Sequence, residues 1–376
     1  MILRIEDLQN ACTKILQATD SSELSAITET LELKTEGKFL YLSVTNKEYF
    51  AKVTIALVEE ANLHATVKAN LFLKLISQVT TDCIELWVKD NFLNVKANGS
   101  YKLPLVYDND TGELIHLPEI ELKNVTTEFT IPSGILMSIY HNNMKEILKA
   151  KGAFPKPVQK YFYLDGQGCI TFVSGACVNS FKLPSDVKVL LPLRLVKLFK
   201  LFKGGEVSFK LANDFETEEN IQTKVQFESG DVCLTAIVPS SQEMISSVPA
   251  DFIRKTATED FPYSITVNRD EFVQAIGRML LFYSGLNGKA EIQSYSNIHF
   301  GASCLTIQDT NNMNFEKVRY TNQGTLTEEY DCVLDLVDLK MTLEGCDDAF
   351  VTICFGNNTA VVMCRNNVRD VIPEIN

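Results

Sequence analysis

Helix-like and strand-like patterns of apolar residues alternate along this chain in a recurring order. In three segments, a strand-like run leads into apolar residues at helical spacing, and three strands of alternating polarity follow. Short turns rich in Asn, Asp and Gly separate those strands. The three segments are 64–106, 187–239 and 330–376. The pattern predicts that one supersecondary unit is used at least three times.

A second helical segment precedes each of these units. The preceding segments, 4–19, 133–152 and 268–285, carry apolar residues at helical spacing, and an antiparallel strand pair with a tight turn follows each one. In the last of them, Asn268 and Glu271 are placed as a capping box. The order helix, strands, helix, strands thus recurs at a period of roughly 120 to 140 residues, which is too long for a solenoid of small repeats.

These patterns predict an α+β protein of three similar domains, each with two helices packed on antiparallel sheets. We place the domains at 1–125, 126–255 and 256–376, with connecting segments at 109–124 and 240–260. A chain of 376 residues is long enough for two or three such domains.

One short segment, 191–205, is strongly basic, although the chain as a whole has a formal net charge of −13. On a helix with about 100° per residue, its cations occupy one half and an apolar arc lies opposite. The cations are Arg194, Lys197, Lys200 and Lys203. The apolar arc contains Leu195, Leu198, Phe199 and Phe202, and the basic half also contains Leu193, Val196 and Leu201. Pro192 and the Gly204-Gly205 pair predict where the helix begins and ends.

The segment therefore predicts a capped amphipathic helix with a basic, acid-free surface that faces an anion. A membrane-surface helix and an ordinary solvated helix face are the alternatives. The net charge argues against a uniformly basic nucleic-acid binder, but it is compatible with an acidic exterior and one segregated basic surface.

The remaining composition predicts no metal, no cofactor and no membrane span. No two of the ten cysteines form a C-x-x-C pair, and the four histidines show no ligand spacing. No apolar run approaches the length of about 18 residues that a bilayer span needs. Glu6 and Asp7 lie within the N-terminal segment, where a secretory signal would be apolar, so we expect a cytoplasmic protein.

Three α+β units with two helices each, in a chain of this length, resemble the bacterial β sliding clamp, the processivity subunit of the replicative DNA polymerase. The resemblance covers the whole chain, segment by segment. Members of that family end in a strand close to VVMPMRL, and this chain ends in DVIPEIN. The Ser174-Gly175 turn also resembles the family's T-D-G-H-R turn, although Ala176 and Cys177 replace its His and Arg.

The resemblance implies a head-to-tail homodimer that closes a ring of six domains, with the helices facing a central hole. Double-stranded DNA threads this hole, and Lys and Arg attract its phosphates nearly equally at every register, without reading the bases. An acidic exterior keeps DNA off the outer wall. The candidate pore-lining cations are Lys14, Lys68, Lys74, Lys145, Lys149, Lys151, Arg194, Lys197, Lys200, Lys203, Arg269, Arg278 and Lys340.

The resemblance also implies an apolar pocket for short peptides of DNA polymerases, the clamp loader and repair proteins. Its residues, carried over position by position, are Val158, Val173, Gly175, Val178, Pro249, Leu336, Thr359, Val362, Val371, Ile372 and Pro373. Asp338 stands where the family has an aromatic residue, and Glu374 where it has a methionine. These departures suggest a diverged peptide, for example that of a phage or mobile-element polymerase. Ordinary core packing is the alternative for each residue.

For the ring seam, the resemblance points to the strand GSYKLPLV of the first domain and to the helix end LLFYSG of the last. The apolar candidates are Tyr101, Leu103, Leu281 and Phe282. Pairing an exposed strand edge across a dimer would protect it from aggregation. Core packing is again the alternative.

Other functions have less support in the sequence. The chain lacks the phosphate-binding loop G-x-x-x-x-G-K-[ST], the nucleophile elbow G-x-S-x-G and the zinc motif H-E-x-x-H. We therefore predict a protein that is not an enzyme. The alternatives are a non-catalytic scaffold of the same fold that does not encircle DNA and, with less support, an unrecognised hydrolase or transferase.

Overall fold

A computed structural model describes most of the chain. The described residues are 1–19, 26–46, 48–108, 110–143, 157–172, 175–217, 220–239, 241–283, 294–346, 348–365 and 367–375. They form short helices and antiparallel sheets of four, eight and twelve strands, which confirms the predicted α+β class.

One arrangement recurs six times among the described residues, namely a strand, a helix and three further strands. The first repeat contains β1 (Ile2–Arg4), α1 (Ile5–Leu16), β2 (Thr30–Glu36), β3 (Phe39–Thr45) and β4 (Tyr49–Ala56). The second contains β5 (His64–Lys68), α2 (Ala69–Ser77), β6 (Cys83–Lys89), β7 (Phe92–Lys96) and β8 (Ser100–Pro104). The third contains β9 (Val125–Pro132), α3 (Ser133–Asn142), β10 (Tyr161–Asp165), β11 (Gly168–Thr171) and β12 (Ala176–Ser180).

The second half of the chain continues the same arrangement. The fourth repeat contains β13 (Lys188–Pro192), α4 (Leu193–Val196), β14 (Glu206–Thr217), β15 (Asn220–Ser229) and β16 (Val232–Val238). Two helices then follow, α5 (Gln242–Ser246) and α6 (Ala250–Thr258). The fifth repeat contains β17 (Tyr263–Asn268), α7 (Arg269–Leu280), β18 (Tyr295–Phe300), β19 (Cys304–Gln308) and β20 (Phe315–Asn322). The sixth contains β21 (Tyr330–Asp335), α8 (Leu336–Glu344), β22 (Phe350–Phe355), β23 (Ala360–Arg365) and β24 (Val368–Pro373).

Successive repeats exchange their opening strands. β1 pairs with β6 and β5 with β2, so the opening strand of each repeat completes the sheet of the other. The same exchange joins β9 to β14 and β13 to β10, and then β17 to β22 and β21 to β18. Because neither repeat of a pair completes four strands alone, the two repeats of each pair depend on each other for their sheets. The boundaries at 125 and 255 stay predictions.

The chain divides into two compact units, which are described separately. Unit 1 contains residues 1–136 and 198–240, and unit 2 contains residues 137–197 and 241–376. In unit 1, β4 pairs with β16, and this pairing joins two four-stranded arrays into the eight-stranded sheet. In unit 2, β12 pairs with β24 in the same antiparallel manner, and β17 meets β20 to complete twelve strands.

Helices α7 and α8 begin at residues whose side chains cap them. The side chain of Asn268 accepts a hydrogen bond from the backbone N–H of Glu271 at 3.0 Å, which confirms the predicted N-terminus of α7. The residues of α7 that face the core recur at helical spacing and are buried, namely Phe272, Ala275, Ile276 and Met279. At α8, the Asp335 carboxylate accepts from the N–H of Val337 at 2.8 Å.

The basic segment is not one continuous helix, so this expectation was wrong. Helix α4 ends at Val196, and a separate 3₁₀ turn covers Phe199–Leu201. The predicted apolar arc is buried, but three residues expected among the cations are buried as well, namely Leu193, Val196 and Leu201. Seven buried apolar residues cannot share one side of a straight helix, and breaking the helix lets them reach the core from several directions.

The connecting segment 240–260 is also more ordered than the sequence predicted. It forms α5 and α6, and α6 buries Ala250, Ile253 and Ala257 in the core of unit 2. The side chain of Ser241 caps α5 by accepting from the N–H of Met244 at 3.3 Å. A segment that buries this much apolar surface is part of the folded unit rather than a linker.

Candidate nucleic-acid and partner-binding surfaces

The predicted cations of the first domain differ in their surroundings. Lys68 and Lys74 are exposed, Lys68 at the end of β5 and Lys74 on α2. The ammonium group of Lys14, on α1, instead donates to both carboxylate oxygens of Asp231 at 2.6 Å. Since Asp231 neutralises much of its charge, Lys14 contributes less to an external positive potential than Lys68 and Lys74 do.

The predicted cations of the middle domain divide into two groups. Lys145, Lys149 and Lys151 lie outside the described residues. Lys203 is exposed, and the segment's other cations are half-buried, namely Arg194, Lys197 and Lys200. The leucine and phenylalanine side chains that alternate with these cations are buried, so the cations are the polar positions of an otherwise apolar segment.

All three predicted cations of the last domain are near carboxylates. Arg278 donates through Nε and Nη2 to both oxygens of Glu316, at 2.7 and 2.9 Å, and this holds the pKa of the Glu316 carboxyl below its usual range. Arg269 donates to Asp270, and Lys340 lies 3.4 Å from Glu344. The positive potential of this domain is therefore weak.

The residues predicted for the peptide pocket belong to two different apolar clusters of unit 2. Val158, Val178, Val362 and Val371 lie in one cluster, which α6 covers with Ile253. Leu336 and Ile372 lie in the second cluster, together with the apolar face of α7. Val173 lies outside the described residues.

Three predicted pocket residues meet where β12 pairs with β24. Ala176 is opposite Val371 in the register, and Gly175 comes just before it. A Cβ atom at Gly175 would lie 2.3 Å from the carbonyl oxygen of Val371 and 3.5 Å from Pro373, so the backbones approach too closely for any other residue. Pro373, Pro249 and Thr359 are exposed and are therefore accessible to a partner.

Within unit 2, a cavity of about 320 Å³ opens beside the apolar cluster that α6 covers. Residues of β10 and of the α5–α6 segment line it, among them Tyr163, Asp165, Pro249, Phe252 and Arg254. The ring of Phe252 is 69% exposed, which is unusual for an aromatic side chain and leaves it accessible to a partner. Only Pro249 of these residues was predicted from the sequence, because the segment was expected to be a linker.

One departure from the family pattern has a defined partner. The hydroxyl of Tyr330 donates to the carboxylate of Glu374 at 2.8 Å. Burial raises the pKa of Glu374, and this hydrogen bond offsets only part of the effect. Cys177, one of the two departures at the turn, is buried in the β11–β12 pair, where it cannot contact a peptide.

The predicted seam residues include three exposed apolar side chains. Tyr101 is 37% exposed on β8, the last strand of the four-stranded sheet, whereas Leu103 on the same strand is buried. Leu281 and Phe282 are 68% and 59% exposed at the end of α7. They stay candidates for the seam.

A strand edge that the sequence analysis missed lies on β20. Its residues 315–319 pair with β19, and among the described residues β17 reaches β20 only at Tyr320 and Asn322. Phe315 is 60% exposed at the start of this edge. The sequence analysis predicted only a strand pair after the helix of 268–285 and assigned no strand to 315–322, so this edge was not predicted.

The structure also brings together three potential metal ligands that the sequence did not predict. Glu32 on β2, His64 on β5 and His116 in the 109–124 connector place one ligand atom each within 4.8 Å of one another. They are far apart in the sequence, so no spacing rule could have detected them.

The fold is that of a bacterial-type β sliding clamp. DNA polymerase III subunit beta from Pseudomonas aeruginosa superimposes with a TM-score of 0.75 at 15% identity, covering 100% of this chain and 99% of that one. The DNA polymerase III beta subunit of Thermotoga maritima gives 0.76 at 11% identity, covering 100% and 98%. A sliding clamp from Bartonella birtlesii, solved bound to griselimycin, gives 0.77 at 14% identity, covering 100% and 99%.

The sequence identity to these structures is low, from 11% to 15%. No protein-family model and no curated protein sequence matches this chain. None of the described helices is long and apolar enough to cross a membrane.

Proposed function

We propose that this protein is a DNA sliding clamp, a ring-shaped processivity factor that encircles duplex DNA and tethers a replicative polymerase. The observation that carries the proposal is the likeness to β subunits of DNA polymerase III over the full length of both chains. It acts in the cytoplasm of a bacterium, or of an infected host cell if a phage encodes it, and it is not an enzyme.

The strand pairing supports a head-to-tail homodimer. Within the chain, the last strand of one repeat pairs with the last strand of another, as β4 does with β16 and β12 does with β24. Two last strands keep an unpaired edge among the described residues, β8 and the first part of β20. Pairing β8 of one copy with β20 of another repeats the same contact, uses Tyr101, Leu281 and Phe282, and closes a ring of two copies.

DNA is held in this ring by diffuse attraction. Lys68, Lys74 and Lys203 are exposed and attract phosphates without reading bases. The carboxylates beside Arg278 and Lys340 weaken the attraction in the last domain, so the first two domains supply most of it.

Partner peptides bind to unit 2 beside Gly175, Pro249 and Pro373. The exposed ring of Phe252 and the 320 Å³ cavity extend this surface. Such a groove gives a few apolar anchors and allows exchange among a polymerase, a clamp loader and repair proteins. Glu374 and Asp338 make the peptide different from that of typical clamps.

The decisive experiment separates encirclement from charge attraction. Linear duplex DNA with biotin at both ends is incubated with the protein at low salt, capped with streptavidin and washed with high salt. A clamp stays on the DNA and leaves when a restriction enzyme cuts it, because the caps hold the threaded ring. In the control, streptavidin is added first and no protein is retained. Salt-sensitive binding that does not depend on the streptavidin caps would refute encirclement.

A scaffold of the same fold that does not encircle DNA is the second candidate. The carboxylates beside all three predicted cations of the last domain favour it. Such a scaffold would still capture peptides on unit 2, but no cap-dependent retention would be observed.

A further inference from the structure

We propose that Glu32, His64 and His116 form a zinc-binding site that fastens the 109–124 connector to the sheet of unit 1. The site is independent of the clamp function, since none of its residues belongs to the proposed DNA, peptide or seam surfaces.

The geometry of the three ligand atoms carries the proposal. Nε2 of His64 lies 2.8 Å from Oε1 of Glu32, and Nδ1 of His116 lies 3.4 Å from the same oxygen. Zinc bonds of about 2.0–2.2 Å in tetrahedral geometry place ligand atoms about 3.3 Å apart. The His116–Glu32 separation already has this value, and the shorter one opens by about 0.5 Å when zinc replaces the shared proton.

The surrounding structure positions all three side chains. Glu32 and His64 lie on the same face of the β2–β5 pair, because Glu32 is opposite Thr66 and Lys34 is opposite His64. His116 lies between Ile115 and Leu117, which are buried against Phe50. The hydroxyl of Thr66 donates to the carbonyl of Ile115 at 2.6 Å and fastens the connector directly beside the site.

Burial and charge also favour a cation. The side chain of Glu32 is only 9% exposed, and a buried carboxylate needs a positive or hydrogen-bonded partner. Two lysines on this face pair with other carboxylates, Lys34 with Glu36 and Lys52 with Glu119. Two imidazoles and one carboxylate form a donor set that suits zinc, with a water molecule as the fourth ligand.

One adjustment is required for binding. The rings of His64 and His116 stack with their centroids 4.5 Å apart and their planes at 23°, whereas a metal ion lies in the plane of each ring that binds it. His116 therefore turns about its Cβ–Cγ bond. Its side chain is 67% exposed, which leaves space on the solvent side for this rotation.

The test uses the full chain without a histidine tag, stripped with a chelator and titrated with zinc against a chromophoric competitor. We expect one tight equivalent per chain. In His116→Ala, which removes an exposed side chain and leaves the fold intact, the affinity should fall by about 100-fold or more, since even second-shell changes cost 10–100-fold. His64→Ala should behave alike.

The control is His299→Ala. The His299 ring contacts Asp331 at 2.9 Å but has no second histidine beside it, so zinc binding should be unchanged. Cobalt in place of zinc should show no thiolate charge-transfer band, although the chain has ten free cysteines. Undiminished binding in both histidine variants, or a thiolate band, would overturn the proposal.

Discussion

Arg254 of α6 and Asp165 of β10 form a bidentate ion pair. Nη2 donates to Oδ1 at 2.7 Å and Nη1 donates to Oδ2 at 2.9 Å. Both side chains are mostly buried, at 17% and 9% exposure. This ion pair holds α6 against β10 within unit 2, at the edge of the proposed partner surface.

We expect Arg254→Ala to loosen α6. Removing one partner leaves the buried Asp165 carboxylate without its guanidinium, which costs about 3–5 kcal/mol. Hydrogen exchange of the amides of 250–258 should accelerate by about two to three and a half orders of magnitude, since 1.4 kcal/mol corresponds to tenfold. Lys255→Ala is the matched control, because Lys255 is exposed on the same helix. Equal exchange in the two variants would contradict the role of the ion pair.

The half-buried carboxyl of Glu374 should make stability depend on pH. Its folded pKa is raised by burial, so its favourable contribution is complete below the ordinary glutamate pKa and is lost as the pH rises through the folded value. Glu374→Gln keeps an acceptor for the Tyr330 hydroxyl and removes the charge. Urea unfolding between about pH 4 and pH 8, a range that begins near the ordinary glutamate pKa and extends above it, should show the variant gaining stability relative to the parent as pH rises. Glu329→Gln, at an exposed site, should run parallel to the parent.

The proposed seam predicts that charge at α7 separates the dimer. In Leu281→Asp with Phe282→Asp, two exposed apolar side chains become anionic, so the particle mass by light scattering should halve while the circular dichroism stays the same. Val58→Asp is the control, since Val58 is 92% exposed and lies outside the proposed seam. A monomeric parent, or a dimer that survives the double variant, would place the seam elsewhere.

Removing lining cations should weaken DNA binding and make it less salt-dependent. Lys74→Glu with Lys203→Glu reverses two exposed charges, so the slope of log affinity against log salt should decrease in magnitude by about 2. The comparison is Lys38→Glu with Lys182→Glu, two exposed lysines outside the proposed lining. If both double variants weaken DNA binding equally, the net charge and not a lining surface governs it.

The sequence alone determined that one unit is repeated and most of its elements. Periodicity of 2 or 3.6 residues is a local property, so it revealed the strand–helix–three-strand order in 64–106, 187–239 and 330–376 and the α7 cap at Asn268, but only a helix and a strand pair in the segments before them. It failed where burial is decided by distant neighbours. The segment 191–205 has an amphipathic pattern, yet Leu193, Val196 and Leu201 are buried too, although the pattern placed them among the cations.

Tertiary structure decided which strands exchange, which edges stay open and which side chains meet. Glu32, His64 and His116 converge only because β2 pairs with β5 and the connector returns to cover them. Arg254 reaches Asp165 only because α6 packs on unit 2. These contacts join residues far apart in the chain, and their stability depends on the closure of long loops and the burial of shared apolar surface, which a local pattern does not encode.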